Sequence, residues 1–474
     1  MFKKYLIYLC SFFLINQANA NGVSPYLPLN TDPLIELQIE RLVSITQMPV
    51  LSKPYHIVTI DKYLDKIRTS HPTLYTRLNN YIKRYKRQSA ITHFSTELSH
   101  SNNETDTINN QRGIALDSTF QTSVSGFHQF NKYAIANFGG SLIDQDKVIP
   151  HNTYFSFGYE YLQIDLGYRE HWLSPFQENS LALSTNAKPV PSFTMSNVKP
   201  ITSWNVKYEM SLSLLNEMDG IHYDGTTSSG KPGFLTMQLS IQPFDWWTIG
   251  GVRTFMFAGG NRSIDLSTIG KAIIDPISGD NCGGESSLQN CDLESGNQIA
   301  SVTSKFDFSL RSFPISILLE YAGEDAKDYK YSLGNIARSY GIFLPYLSDK
   351  TSLYAEFTEF HERWYVHHLY DEGYRNDKIV MGHWWGNHKA MNDLSAGNAS
   401  TIRFNWDIED SFHIQLKYKS AFIEPSVSYQ YHRTHDLEVK LKQVYKTGFL
   451  NYSINIGKDV HRESYYRLAL GYNW

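Results

Sequence analysis

From about Ile91 to Trp474 the chain alternates apolar and polar residues with a period of two, and this pattern limits its fold more than any other feature. In WNVKYEMSLSL, Trp204, Val206, Tyr208, Met210, Leu212 and Leu214 alternate with Asn205, Lys207, Glu209, Ser211 and Ser213. The dyad recurs in LTMQLSIQ (from Leu235), FHIQLKYK (from Phe412) and LNYSINI (from Leu450). At the end, Tyr466, Leu468, Leu470, Tyr472 and Trp474 share one face of a strand. A sheet edge this apolar invites aggregation unless the sheet closes on itself. Alternation alone does not say whether the apolar face meets lipid or a second sheet, so a soluble sandwich or solenoid is the competing fold. Aromatic residues make up 14% of the chain, with Tyr 32 and Phe 26, which suits girdles at two membrane interfaces. Short turns at 242–246, 311–315 and 407–411 interleave with long polar stretches such as 258–301, the rim asymmetry of an outer-membrane barrel. The prediction is an all-β transmembrane barrel over 91–474 with about 18 antiparallel strands. Counting gives 17 or 18, and an even number is needed, so 362–400 hides either one more strand or a segment folded into the lumen.

Ahead of the barrel the period is helical. Asp32 is placed to cap a helix opening on Pro33, a second helix starts near Thr59, and a third starts near Pro72 and ends in Lys83, Arg84, Lys86 and Arg87. Each carries a polar, wet face, so none is a spanning element. Residues 21–90 are therefore expected to form a three-helix bundle plugging the periplasmic end. Residues 1–20, with Lys3 and Lys4 before an apolar run and Ala18-Asn19-Ala20 after it, read as a signal peptide cleaved after Ala20. No other stretch approaches the length of a membrane helix, and mean hydropathy is −0.37. The formal net charge of −4 offers nothing to nucleic acid. Cys10 leaves with the leader, and Cys282 and Cys291 remain in the 258–301 connection, where an oxidising compartment favours a loop disulfide over two free thiols.

One stretch departs from both periods. Residues 169–193, REHWLSPFQENSLALSTNAKPVPSF, are polar, proline-containing and rich in amides, so they do not face lipid. Trp172, Pro175, Ser180, Leu181, Ser184, Asn186, Ala187, Pro189 and Pro191 follow the signature of the Wzi capsule-assembly family, which this chain resembles; His171 and Ser174 depart from it, standing where an aromatic and a glycine are usual. TIGGVRTFMFAGGNR (248–262) and MGHWWGN (381–387) are similar to the family as well. The resemblance implies an outer-membrane barrel with a helical plug and a lectin-like activity that helps attach and organise capsular polysaccharide or related exopolysaccharide at the cell surface. A porin or transporter is the alternative, and an outer-membrane hydrolase is the third class.

Sugar faces are recognised by aromatic rings flanked by hydrogen-bonding groups, which makes Trp384, Trp385, Tyr365, Tyr370, Tyr374 and Tyr223 candidate platforms. Barrel aromatics also serve as girdle and packing residues. Arg169, Glu170 and His171 read as a charged lumen network beside Trp172 and Asn186, since buried charges are normally paired. His361, His367, His368, His383 and His388 meet no metal-ligand spacing, and no nucleophile motif is legible, so neither metal, cofactor nor catalysis is expected. The expected partners are capsular polysaccharide, outer-membrane lipid and the barrel-assembly machinery, with the chain a monomer.

Overall fold

The computed structural model describes residues 22–30, 32–103, 106–263, 296–311, 313–326 and 333–474; the leader over 1–20 and both Cys282 and Cys291 lie outside the described residues. The alternating region forms one sheet of nineteen hydrogen-bonded segments. Two of these, Lys147–Pro150 and Thr153–Tyr159, both pair with Ala134–Ile143 and are one strand bent at residues 151 and 152, which makes eighteen strands. They are β1 (Ser89–Ser101), β2 (Phe120–Asn131), β3 (Ala134–Ile143), β4 (Lys147–Pro150 with Thr153–Tyr159), β5 (Leu162–Tyr168), β6 (Ser192–Ser196), β7 (Lys207–Leu214), β8 (Gly233–Phe244) and β9 (Trp247–Phe257). The circuit continues through β10 (Gly296–Leu310), β11 (Phe313–Ala326), β12 (Leu333–Ser348), β13 (Thr351–Phe360), β14 (Gly397–Glu409), β15 (Phe412–Ile423), β16 (His435–Tyr445), β17 (Gly448–Lys458) and β18 (Ser464–Asn473). Neighbours are antiparallel, and β18 closes the circuit on β1 in register from Ser95 opposite Asn473 to Ser101 opposite Arg467.

The faces are the inverse of a soluble β-protein. Trp204, Leu212 and Leu214 are exposed on the outer wall while Glu209, Ser211 and Ser213 are buried, and β18 exposes Tyr466, Leu468 and Leu470. A closed ladder satisfies every strand's backbone groups while presenting hydrocarbon outward, the arrangement a spanning sheet requires. One rim carries two-residue turns apart from the ten-residue connection 197–206, with exposed Tyr133, Tyr159, Tyr161, Trp204, Phe244 and Trp246 along it. Phe244 stacks on Trp246 at 5.4 Å and Trp247 on Phe306 at 6.0 Å, forming a local belt of rings. The other rim carries most of the long connections.

Trp474 extends the seam between β18 and β1. Its amide donates to the Phe94 carbonyl at 2.8 Å and the Arg84 guanidinium lies 5.5 Å from its ring. Deleting Trp474 or replacing it with Asp is expected to leave the protein unassembled, because the last strand must register on the first before the circuit can close. The check is migration of unheated protein on a denaturing gel, and a normal folded band for either variant would contradict this role.

The helices are α1 (Pro33–Ile45), α2 (Ile57–Leu64) and α3 (Pro72–Ile82), with the Asp32 carboxylate accepting from the Ile35 amide at 3.1 Å to cap α1. Leu42, Ile60, Leu64, Leu74 and Leu78 bury against one another in their shared core. The wet face expected of each helix is not wet on α1. Gln38, Glu40, Arg41 and Ser44 are buried against the polar inner wall, where Arg41 pairs with Asp407 at 2.7 Å and Ser44 meets Ser316 at 2.7 Å. A barrel lumen is polar, so a helix entering it buries both its faces. These contacts fall near the short-turn rim, as does the Arg77–Asp410 pair at 2.7 Å.

The uncounted stretch at 362–400 is a lumen segment. Between β13 and β14 it supplies only a hairpin of Arg375–Asn376 with Ile379–Val380 and a 3-10 turn over Trp384–His388, which accounts for the failed parity.

Candidate functional site

Three connections from the long-loop rim fold inward and knit together. After β5, Trp172 exchanges backbone hydrogen bonds with Lys53 at 2.9 and 3.0 Å, and the Lys53 ammonium sits 5.0 Å over its ring. Leu173, Phe176, Leu181 and Ala182 then bury completely. The Asn186 side chain donates to the Val380 carbonyl at 2.9 Å and accepts from the Asn110 amide at 3.1 Å, which ties 169–191 to both 361–396 and 106–118. Glu170 takes a bidentate bond from Arg112 at 2.6 and 2.9 Å. Arg169 pairs with Glu209 at 2.5 Å and stands 4.2 Å from the Tyr26 ring, and His171 reaches the second Glu209 oxygen at 2.7 Å. These charges fix the inserted segment to strand β7 and to residues ahead of α1.

Of the six rings singled out in the sequence, the structure gathers five. Tyr365, Tyr370, Tyr374, Trp384 and Trp385 are at most 1% exposed in one apolar layer across the lumen. Tyr365 stacks on Tyr374 at 5.6 Å, and Trp385 lies on Phe360 at 4.1 Å with 7° between planes. The polar ends of four are engaged: the Tyr365 hydroxyl donates to Leu181 at 2.7 Å, that of Tyr370 to Ala258 at 3.1 Å, that of Tyr374 to Ala182 at 2.8 Å, and the Trp385 indole to Phe422 at 3.0 Å. Faces already covered offer nothing to a ligand in this conformation, and their physical role here is to hold the three connections together. Tyr223 stands apart and half-exposed on the hairpin Met218–Tyr223 with Thr226–Gly230, the Arg262 guanidinium 5.7 Å from its ring.

Trp384 also borders a charged cavity of about 90 Å³. Lys417, Lys419, Lys440 and Lys458 line it together with Asp106, Asp436, Glu438 and Asp459, alongside Asn455, Thr434, Tyr465 and His388. Three of the four cations are held in ion pairs. Lys440 pairs with Glu438 at 2.7 Å, and Lys417 reaches both Glu438 at 3.6 Å and Glu178 at 3.0 Å. Glu178, at the tip of the inserted 169–191 segment, also meets Arg403 at 3.0 Å and Lys419 at 3.6 Å, and Arg403 reaches on to Glu40 of α1 at 2.6 Å. Burial by itself would raise the Glu178 carboxyl, but Lys417, Lys419 and Arg403 hold it well below the usual carboxylate range. Burial pushes His388 below the ordinary imidazole range, outweighing Asp106, Asp436 and Asp459. The Trp384 indole N–H is buried without a hydrogen-bond partner among the described residues. Donors of both kinds, carboxylate acceptors and one ring edge thus meet in a single cleft, a set that matches hydroxyls and a charged substituent together.

Sequence reasoning missed these lysines and acids. The signal was present in the inward register: Lys417 and Lys419 on β15, and Asp436, Glu438, Lys440 and Lys442 on β16, are successive inward positions, every one charged.

The family described as Capsule assembly protein Wzi matches residues 83–458, from just after α3 to the end of β17. No curated protein matches the chain. Among solved structures, Wzi of Escherichia coli, an outer-membrane carbohydrate-binding β-barrel involved in group 1 capsule assembly, aligns at 14% identity with a TM-score of 0.68, covering 95% of this chain and 99% of that one. OpdQ of Pseudomonas aeruginosa aligns at 8% identity over 81% of this chain and 96% of its own, with a TM-score of 0.48. OpdO of Pseudomonas aeruginosa aligns at 11% over 82% of this chain and 96% of its own, with a TM-score of 0.47. With the signature at 172–191 tying the lumen together and the family match running over nearly all of the barrel, this chain belongs to the Wzi capsule assembly family.

Proposed function

We propose that this chain is an outer-membrane, lectin-like protein that binds capsular or related surface polysaccharide and aids its attachment at the cell surface. Membership of the capsule assembly family carries the reading, and the solved relative of the same fold is a carbohydrate-binding barrel. The charged cavity supports it. At about 90 Å³ it is too small for a whole sugar by the usual size of ligand pockets, roughly 300–1,000 Å³. It takes one projecting group of a chain lying across its mouth, such as a carboxylate or hydroxymethyl, between Lys417, Lys440 and Glu438. In the same reading residues 1–20 are a cleaved export signal, the short-turn rim faces the periplasm, residues 21–90 plug that end, and the barrel works as a monomer delivered by the assembly machinery.

Deletion of the gene from an encapsulated host is expected to shift capsule from cell-bound to medium. The protein returned with Lys440→Gln and Lys458→Gln, which line the cavity without pairing to Glu178, should restore the barrel but retain less capsule, by several-fold, with purified capsule bound correspondingly less in vitro. Full retention by the deletion strain would overturn the proposal. Ion conductance in planar bilayers would instead favour a porin, and glycan or lipid turnover abolished by one substitution would favour a hydrolase.

A further inference from the structure

The wall is not equally tall all the way round. β5, β6 and β7 are seven, five and eight residues long, whereas β10, β11 and β12 run to fifteen, fourteen and sixteen. Tyr168, the last residue of β5, pairs with Thr153, so the stretch of β4 above it has β3 on one side and, among the described residues, no strand on the other. The result is a notch in the wall. It opens into a cleft of about 440 Å³ lined by Lys147, Val148, Tyr168, Lys188, Asn216 and Asp377, among others. Val148 is 69% exposed on the outer wall, whereas Lys188 and Asp377 belong to the inserted lumen connections, so the cleft passes through the wall.

Its height in the membrane follows from the strand. Val148 lies eleven residues along β4 from Tyr159 at the short-turn belt, and at ~3.3 Å per residue with a tilt near 40° this is roughly 28 Å. That places the notch at the interface beyond the hydrocarbon band, where an unpaired strand edge is tolerated only if water or a polar ligand reaches it. Pro150 removes a backbone donor and Lys147 puts a charge on the edge, two features that block addition of a further strand. The occupant is therefore not a peptide.

The groups presented are specific. Lys188 is neutralised by Asp377 at 2.6 Å, and Asp144 is occupied by Ser118 and by the Thr119 and Phe120 amides. Lys147 has no ion-pair partner among the described residues and is exposed, so its ammonium lines the cleft open to a ligand, as does Asn216. On the outside, Val148 presents hydrocarbon beside the opening. A polar, anionic, hydroxyl-bearing head that sits in the cleft while its tails lie on the wall fits all three features.

We propose that this lateral notch binds the anionic sugar headgroup of a glycolipid in the outer leaflet. The choice of leaflet rests on the orientation given under the proposed function; the site itself does not rest on capsule binding. Lys147 pairs with a phosphate or carboxylate on the sugar, and Asn216 and the open β4 edge hydrogen-bond its hydroxyls.

The test is native mass spectrometry of the full barrel in a neutral detergent, titrated with bisphosphorylated lipid A, its dephosphorylated form, phosphatidylethanolamine and free glucosamine phosphate. Saturable retention of bisphosphorylated lipid A is expected, weakened at least tenfold by Lys147→Glu, by Asn216→Trp, which fills the cleft, and by dephosphorylation. Free glucosamine phosphate should bind more weakly than the lipid, since it gains nothing from the outer wall. Equal retention by wild type and both folded variants, or phosphatidylethanolamine binding as well as lipid A, would overturn the proposal. Folding of each variant is read from heat-modifiable migration. Capsule binding by the same variants is a separate measurement, expected to be unchanged, so failure of either reading is recognised by itself.

Discussion

Replacing Glu178 with Gln is expected to destabilise the assembled barrel by about 3–5 kcal/mol, the usual consequence of removing one partner from a buried ionic cluster. Glu178 is the acid shared by Arg403, Lys417 and Lys419, at 3.0, 3.0 and 3.6 Å. The amide retains the shape and some hydrogen bonding but leaves three cations with less negative charge among them. Arg403 keeps Glu40, and Lys417 keeps Glu438, so the largest deficit falls on Lys419. The measurement is the denaturant midpoint of the detergent-solubilised barrel followed by tryptophan fluorescence, and an unchanged midpoint would show that Glu178 does not hold the lumen segment to β14 and β15. The pH dependence follows from the same contacts. A carboxyl held lower in the folded than in the unfolded chain stabilises the fold above the ordinary carboxylate pKa and loses that contribution as pH falls through its own depressed value. Wild type should therefore keep this stabilisation from neutral pH to about pH 5 and lose it only in stronger acid, and the Gln variant should lack that acid-sensitive component.

Removing residues 31–88 alone is expected to leave the barrel without porin-like conductance. Eighteen-stranded barrels enclose an aqueous channel when nothing fills them. Here two fillings lie in series: the helices near the short-turn rim, and the layer made by 169–191 with 361–396, in which Leu181, Trp364, Tyr370, Tyr374 and Trp385 show no exposure. Tyr374 anchors that layer to the wall through Thr254 at 2.8 Å, independently of any helix. Large conductance steps should appear only when 361–396 is also replaced by a short linker. Planar-bilayer recording of the three forms, each first shown to be heat-modifiable, decides the matter. Large steps from the first deletion would mean that the upper layer does not seal the lumen.

The three helices and the barrel were readable because each is a local periodicity. Asp32 before Pro33 specifies a capped helix start, and the two-residue repeat from Ile91 specifies strands whose lipid face is set as soon as the sheet closes. That the aromatic residues of 361–388 pack into one layer was not readable, for a reason that is also physical. A ring's composition is the same whether its face is bare or covered, and only the packing of 361–388 against 173–187 covers it.

The sequence by itself determined the strand number to within one, the faces of the strands, the three helices and the family, since all of these rest on spacing along the chain. The tertiary structure decided which charges meet. Glu178 lies more than two hundred residues from Arg403, Lys417 and Lys419, and no periodicity links them; they face one another because a connection turns inward and the barrel curves β14 and β15 around it. The same holds for the notch, which exists because β5 to β7 stop short beside a β4 that does not, a mismatch of heights that appears only once the register of the whole wall is known.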